Sequence, residues 1–369
     1  MVFGGWLVAI IAIWMIVRRL ELGVEAFFVG SALLVGNVLL LGPSGMLATN
    51  NFLPLPFVLF AFFSLLGALD PKKPRMVDPF LAGSLVSIAI GLKANYIILA
   101  PAFVAATLVA PASRSLRDRL VMAFVPLAVG GVVGGLPALI HLALDLEGFL
   151  AHTIRYFTEL QTAYWAHEDT EKVVGVRGKV YLAELVWLRG ATLIGLFASL
   201  LLSFILLFQS GWRGLMDWRV GMLLVLLALS VFISFVPTPS FSQYFLPPIP
   251  FLVLLVLVLA KRVHDAGNPA LMPVLAAIAL VAFFSGGSRL TSGLLEFRNA
   301  SEWETLSLKR RVKEAGSALG LEPGGLVATL SPVHAIEGGY SIYTEFAAGQ
   351  FVYRVAPYIQ PDDKAFYRT

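Results

Sequence analysis

The chain has 369 residues, of which 58% are hydrophobic and only 14% are charged, and its mean hydropathy is +0.82. Soluble domains carry about 25% charged residues, so this composition excludes an ordinary soluble protein and favours a membrane protein. The net charge of +4 lies mainly in short loops and does not indicate a nucleic-acid partner. No cysteine is present, which excludes disulfides and thiolate chemistry.

Ten hydrophobic segments are candidates to cross a membrane. A helix needs roughly 20 mostly apolar residues to do so, and unbroken runs such as Phe251 to Ala260 favour helices over the alternating strands of a barrel. The approximate limits are 6–17, 23–41, 51–69, 79–92, 95–110, 120–142, 188–208, 220–236, 244–260 and 269–285. The sequence therefore predicts an all-α polytopic membrane bundle of about ten transmembrane helices.

Five basic loops alternate with loops of a different chemistry and predict the orientation. The basic loops are Arg18-Arg19 and Lys261-Arg262 together with 72–75, 114–119 and 213–219, whereas 42–50 and 237–243 hold no charged residue. Because Lys and Arg near span ends stay in the cytoplasm, we expect a multi-pass protein of the inner (plasma) membrane. Its first span would begin outside, which an upstream span preceding Met1 would explain; a native outside-first protein is the alternative.

Two regions are predicted to lie on the outer, periplasmic side. The first is the loop 143–187 of the transmembrane domain 1–285, and the second is the soluble tail 286–369. A set of mostly aromatic and apolar residues at helical spacing predicts a helix along the membrane interface; they are Phe149, Thr153, Tyr156, Phe157, Leu160 and Tyr164. In the tail, Ser301 to Glu304 is predicted to be a capping box opening a helix to about Leu319. A predicted strand at 326–330 then indicates a small outer-face α/β C-terminal subdomain.

Polar residues gather at the predicted outer boundary and are candidates to bind a lipid phosphate or a substrate. They are Lys93, Tyr96, His141, His152, Arg155, Gln243 and Tyr244. Cations and hydroxyl donors suit a phosphate at the headgroup plane, and we expect Lys93 and Tyr244 to approach one another there. The alternatives are plain: Lys93 as a snorkelling anchor, Tyr244 as an interface aromatic, and the histidines as ordinary polar residues. No metal ligands and no cofactor are predicted, and a divalent metal is left open.

Three segments resemble bacterial GT-C membrane glycosyltransferases, relatives of the protein mannosyltransferases and of the lipid A aminoarabinose transferase. The segments are Gly91 to Tyr96, Ser242 to Pro250, and Phe157 with Tyr164-Trp165; the tail from Leu330 to Arg354 is similar to that of uncharacterised members. The resemblance implies transfer of a sugar from a polyprenyl-phosphate donor to a glycan, lipid or protein acceptor on the outer face.

One departure from this family concerns the catalytic carboxylate. Such enzymes carry an Asp or Glu in the first outer loop, but this chain has no carboxylate before Glu21, which lies in a predicted cytoplasmic loop. No general base is therefore assigned, and a fragment lacking that loop is expected to be inactive. A non-catalytic membrane assembly protein and a lipid or solute transporter are the alternative functions.

Overall fold

The computed structural model describes residues 2–37, 52–70, 75–110, 114–167, 175–268, 271–286, 299, 303–347, 349 and 354–361. Within these ranges the chain is mostly helical, with one two-stranded sheet. It divides into two compact units, which are Met1–Leu144 with Gly175–Arg289, and Asp145–Val174 with Leu290–Thr369. The first unit thus includes residues 175–187, which the sequence analysis grouped with the outer loop.

The first unit is built from apolar helices. They are α1 Val2–Arg19, α2 Val24–Val35, α3 Pro54–Ala68, α4 Val77–Leu92, α5 Ala100–Val109 and α6 Leu116–Leu144. After α7, which belongs to the second unit at 146–167, come α8 Val176–Trp187, α9 Gly190–Ser210, α10 Trp218–Phe235, α11 Pro248–Asp265 and α12 Leu271–Ser285. Short 3-10 turns at Ala94–Leu99 and Ser242–Phe245 precede α5 and α11.

Four helices of the described chain are long and apolar enough to cross a membrane, so this is a membrane protein. They are Leu116–Leu144, Gly190–Ser210, Trp218–Phe235 and Ser242–Asp265. Five further apolar helices are shorter, with 10–17 residues. Each of the ten predicted segments overlaps a helix of the structure, but the count of about ten spans stays a prediction.

Contacts between charged loops gather the first three basic loops at one end of the first unit. Arg19 forms an ion pair with Asp78 at 3.2 Å, which joins the first loop to the second. Arg114 donates hydrogen bonds to the backbone oxygens of Asp70 at 2.7 Å and Ala68 at 3.3 Å, which joins the second loop to the third. These side chains therefore pair with each other and with backbone oxygens at the ends of helices, where the chain leaves the bundle.

The remaining two basic loops join the same end. Lys261 lies 3.8 Å from the Glu21 carboxylate beside the first loop. The Arg262 guanidinium donates to the backbone oxygen of Gly214, in the fourth loop, at 3.2 Å. Described residues within or flanking all five basic loops are thus linked, as the alternation of the loops along the sequence predicts. The assignment of this end to the cytoplasm stays a prediction.

Helices α4 and α6 pack side by side in parallel through glycine. A Cβ at Gly83 would lie 1.9 Å from the backbone oxygen of Leu127, and one at Gly130 would lie 1.9 Å from that of Phe80. Ser84 also donates a 3.0 Å hydrogen bond to the Gly130 oxygen across the contact. Small residues allow the close backbone approach that holds helices together in membranes. Because the two helices run in the same direction, their later ends lie at the same end of the unit.

In the second unit, the predicted helix of the outer loop is present. It comprises Leu146–Leu150, a π-helical stretch at Ala151–Leu160, and Gln161–His167. Asp145 caps it, since its carboxylate accepts a 2.9 Å hydrogen bond from the Gly148 backbone N–H. The location of this helix, α7, at a membrane interface stays a prediction.

The tail packs directly against α7. Leu160 forms a small buried core with Val355 and Ile359, and the Arg354 guanidinium lies 5.8 Å and 5.7 Å from the rings of Tyr164 and Trp165. Segments in contact lie on one side of a membrane, so the contact agrees with the prediction that the outer loop and the tail share a face. Which face that is stays a prediction.

Two details of the predicted tail are wrong. Helix α13, Glu304–Ala318, has Trp303 as its N-cap residue, so it begins two residues later than a Ser301 cap requires; Ser301 itself lies outside the described residues. Strand β1 is only Leu326–Val327, because its parallel partner β2, Ser341–Ile342, is equally short. Helix α14, Pro332–Glu337, connects the two strands, which gives a minimal β–α–β arrangement.

The glycine contact between α4 and α6 generates a test of stability. We expect Gly130→Ala to destabilise the protein by about 1–3 kcal/mol, because the new methyl group overpacks a site where backbone fills the space. Gly221→Ala in α10 is the matched control, since nothing lies within 4 Å of its Cβ position, and there alanine is worth about 0.5–1 kcal/mol in favour of the helix. Thermal unfolding of the purified protein in detergent measures both, and equal effects would contradict the close packing.

Candidate functional site

Lys93 lies at a break between two apolar segments. It is the C-cap residue of α4 and has an extended backbone (φ −152°, ψ 106°), and the 3-10 turn Ala94–Leu99 follows at once. Its N–H still donates to the Ala89 oxygen at 3.0 Å, and its own carbonyl accepts from the Tyr96 N–H at 3.0 Å. The backbone is therefore satisfied on both sides of the break, and a cationic side chain stands where the helix stops.

Tyr244 occupies a similar break before α11. The 3-10 turn Ser242–Phe245 carries it, and its N–H donates to the Phe241 oxygen at 2.9 Å. Proline at the first position of α11 explains this start, because Pro248 has no N–H to donate and a backbone angle suited to a first turn. The tyrosine is thus fixed just before the N-terminus of a long apolar helix.

The structure brings Lys93 and Tyr244 together. The Lys93 ammonium nitrogen lies 4.6 Å from the centre of the Tyr244 ring, within the range of about 6 Å for a cation–π interaction. The two residues are 151 positions apart in the chain. Both of their 3-10 turns pack against α10, which therefore sets their separation. The expected approach of Lys93 and Tyr244 is confirmed, while its location at the outer headgroup plane stays a prediction.

Burial changes the acidity of this lysine. Lys93 lies between the two apolar helices rather than within either, and burial lowers its pKa to about 8. It therefore remains mostly cationic at pH 7. A partly desolvated cation has less water to lose when it meets an anion, so an anion can bind it at a smaller desolvation cost.

Tyr96 adds a buried hydroxyl to the same segment. The residue is only 3% exposed, and its hydroxyl has no hydrogen-bond partner among the described residues. A buried donor left without a partner costs about 1–3 kcal/mol. Such a group is a candidate to bind a ligand oxygen. Gln243, beside Tyr244, is half-buried.

His141 lies in the later part of α6, the helix that packs beside α4. A Cβ at Gly134 of α6 would lie 2.2 Å from the oxygen of Ser84 in α4. His141 lies seven residues beyond Gly134 in α6, and Gly91 lies seven residues beyond Ser84 in α4. The His141 side chain is exposed.

His152 and Arg155 belong to the second unit. Both lie in the π-helical stretch of α7, where His152 is exposed and Arg155 is half-buried. Each takes part in interactions with its surroundings. They thus belong to a different unit from Lys93 and Tyr244, and their role as ligands stays a prediction.

Sequence reasoning missed the helix that holds the Tyr244 segment. In α8, the buried Lys179 donates hydrogen bonds to the backbone oxygen of Phe235 at 2.8 Å and to the Thr238 hydroxyl at 3.1 Å. At the other end of α8, the Trp187 indole N–H donates to the backbone oxygen of Phe245 at 2.7 Å. The loop that carries Tyr244 is thus fastened on both sides by one helix.

An aromatic cluster reinforces this attachment. The Trp187 ring lies 5.9 Å from Phe235 and 5.5 Å from Phe245, and the two phenylalanines are 5.3 Å apart. These separations are typical of edge-to-face aromatic pairs. The signal in the sequence was a lysine within an apolar stripe, because the buried residues of α8 are Lys179, Ala183 and Val186, spaced four and then three residues apart.

The attachment by α8 predicts a local change in dynamics. Lys179→Met keeps a long side chain but leaves the Phe235 and Thr238 oxygens without their charged donor. A hydrogen bond from a charged group contributes about 1.5–3 kcal/mol, so hydrogen exchange over 235–246 should rise roughly ten- to a hundred-fold. Exchange measured by mass spectrometry checks this, with the exposed Arg177→Met on the same helix as control. Unchanged exchange over 235–246 would show that α8 does not hold the loop.

Comparison with known proteins adds no assignment to this site. No protein-family model, no curated protein and no solved structure matches the chain. The resemblance to membrane glycosyltransferases therefore rests on the sequence segments alone, which are 91–96, 242–250, Phe157 with Tyr164-Trp165, and the tail 330–354.

Proposed function

We propose that this protein transfers a sugar from a polyprenyl-phosphate carrier to an acceptor at the outer face of the inner membrane. The observation that carries the proposal is the contact of the Lys93 ammonium with the Tyr244 ring at 4.6 Å. Two segments that each resemble part of a GT-C glycosyltransferase, 91–96 and 242–250, meet at this contact, although they lie far apart in the chain. The acceptor would be a glycan, a lipid or a protein.

The chemistry of the site suits a lipid phosphate. When a sugar leaves its carrier, negative charge grows on the departing phosphate, and a fixed cation nearby stabilises that charge. Lys93 would supply the cation as a point charge, while the Tyr96 hydroxyl and the Gln243 amide would supply hydrogen-bond donors. A carboxylate must also accept the acceptor proton, and no residue is assigned to that step.

Membrane character supports the same proposal. A polyprenyl chain is confined to the bilayer, so its enzyme needs a binding site that opens from apolar helices at the headgroup level. Both 3-10 turns of the site adjoin apolar helices, Val77–Leu92 and Pro248–Asp265. An anion arriving with a lipid tail could reach Lys93 without leaving the membrane.

Substitution of Lys93 tests the proposal. In membranes in which the protein transfers sugar from a labelled polyprenyl-phosphate donor, Lys93→Ala should lower the rate of transfer roughly ten- to a hundred-fold, since a charge-assisted contact contributes about 1.5–3 kcal/mol. Lys93→Arg should retain part of the rate, and the exposed Arg177→Ala should retain all of it. Uptake of the lipid across the membrane without sugar transfer would favour a transporter. The absence of both sugar transfer and lipid binding would favour an assembly protein.

The lowered pKa of Lys93 predicts how binding depends on pH. The cation is present below the pKa of about 8 and is lost as the pH rises through it. Binding of polyprenyl phosphate should therefore weaken about tenfold from pH 7 to pH 9. The Lys93→Arg variant should show no such loss, because arginine stays charged throughout this range. Binding to the purified protein in nanodiscs measures both, and parallel pH profiles would exclude Lys93 as the titrating group.

A further inference from the structure

Helix α9 ends at a cleft on the surface of the first unit. It is one of the four described helices that are long and apolar enough to cross a membrane. Its 21 residues extend about 31 Å, which matches a hydrocarbon core of about 30 Å, so its last residue, Ser210, stands near the headgroups. Leu207, Phe208, Gly211 and Trp212 line the cleft, which has a volume of about 280 Å³.

Glycine keeps this cleft open. Gly211 has a left-handed backbone (φ +58°), which favours glycine, and no described atom lies within 4 Å of its Cβ position. The chain turns there into the short helical segment Trp212–Leu215. A compact ligand usually needs a largely enclosed site of about 300–1,000 Å³. A smaller and more open cleft suits one part of a long molecule that lies along the helix.

The surface of α9 that leads to the cleft is apolar and exposed. Its residues Phe197, Leu201, Phe204 and Phe208 follow one another at four- and three-residue spacing, which aligns them on one face, and they are 43–76% exposed. The rings of Phe204 and Phe208 lie 4.4 Å apart. Trp212 is also exposed and lies at the end of the helix, where tryptophan favours the headgroup level. A hydrocarbon chain can therefore lie along this face and end beside Trp212.

A cation follows directly at the headgroup end of the cleft. Arg213 is the next residue after Trp212, and its side chain is exposed. None of the ion pairs among the described residues includes Arg213. A second guanidinium lies close by, since Arg262 donates a 3.5 Å hydrogen bond to the backbone oxygen of Arg213. The end of the cleft is therefore positively charged.

The carboxylates near this end already have cationic partners. Asp217, in the same loop, accepts hydrogen bonds from the Arg219 guanidinium at 2.9 Å and 2.6 Å. Asp265, on α11, lies 2.9 Å from the Lys261 ammonium. The charge of Arg213 is thus left for a group outside the protein.

We propose that this cleft binds a phospholipid with an anionic headgroup. One acyl chain would lie along Phe204 and Phe208, the glycerol would reach Trp212, and the Arg213 guanidinium would donate to the phosphate. Charge selects the anionic class, because a net negative lipid is attracted to a cation that no carboxylate cancels. The proposal is independent of sugar transfer, since it involves no residue of the Lys93 and Tyr244 site.

A single dye on the full chain measures which lipid occupies the cleft. The chain has no native cysteine, and Gln209 is exposed beside the cleft, so Gln209→Cys can carry a bimane dye there. In phosphatidylcholine nanodiscs, whose two leaflets are alike, a nitroxide on the acyl chain of phosphatidylglycerol or of phosphatidylcholine quenches the dye when that lipid is bound. We expect phosphatidylglycerol to occupy the cleft about fivefold more strongly, given the contribution of one cation near anionic lipid. High salt should reduce this preference because it screens the charges.

Charge substitutions assign the preference to one residue. Arg213→Gln should bring the two lipids to equal occupancy, whereas Arg213→Lys should keep most of the preference, because the charge remains. Arg117→Gln is the matched control and should keep all of it, since Arg117 is an exposed arginine of the third basic loop, on α6.

Three outcomes would overturn the proposal. The first is equal quenching by the two lipids in the labelled protein without further substitution. The second is a preference that survives Arg213→Gln, which would place the anionic lipid elsewhere. The third is quenching by neither lipid, because the cleft would then be covered by protein, such as a second copy of this chain.

Discussion

The first unit depends on one constraint, which is that charge must stay at the two ends of an apolar bundle. A charged side chain within the hydrocarbon is costly, and every backbone polar group there must be satisfied inside the protein. At one end, Arg19 and Asp78 form an ion pair with only 22% and 12% of their side chains exposed. At the other end, the buried Lys179 is satisfied by a backbone carbonyl and a hydroxyl. The polar chemistry available for function is therefore confined to the ends of helices.

Backbone contacts, more than large side chains, determine where the residues at these ends stand. The parallel contact of α4 and α6 requires glycine. It fixes the position along α6 at which α4 ends, and Lys93 is the residue at that end. Helix α8 reaches the Tyr244 loop mainly through the backbone oxygens of Phe235 and Phe245. A site built this way is rigid, because the backbone cannot rearrange as a flexible side chain can. Rigid support is what keeps a cation and an aromatic ring in register across distant parts of the chain.

The sequence predicted those parts of the fold that depend on local patterns. Hydrophobic runs located the apolar helices, periodicity located α7, and the alternation of charge grouped the five basic loops, whose contacts the structure contains. Lys93 and Tyr244 were predicted to approach because each followed or preceded an apolar run on the same expected side. The role of Lys179 was missed because its acceptors are mainly backbone oxygens, which every residue possesses and no sequence pattern marks. The cap at Trp303 and the length of β1 were predicted wrongly, because each depends on tertiary partners rather than on its own residues.

Lys261 at one end of the bundle contacts carboxylates, whereas Lys93 at the other end contacts an aromatic ring, and this difference bears on function. Lys261 lies 2.9 Å from the Asp265 carboxylate and 3.8 Å from that of Glu21, so its charge is cancelled by its neighbours. The contact of Lys93 with the Tyr244 ring attracts the ammonium through the electrons of the ring face, and a neutral ring cannot cancel the charge. The contact with the ring therefore orients the Lys93 ammonium without itself neutralising the charge. A lysine oriented in this way, at the end of an apolar helix, suits an anion that arrives attached to a lipid.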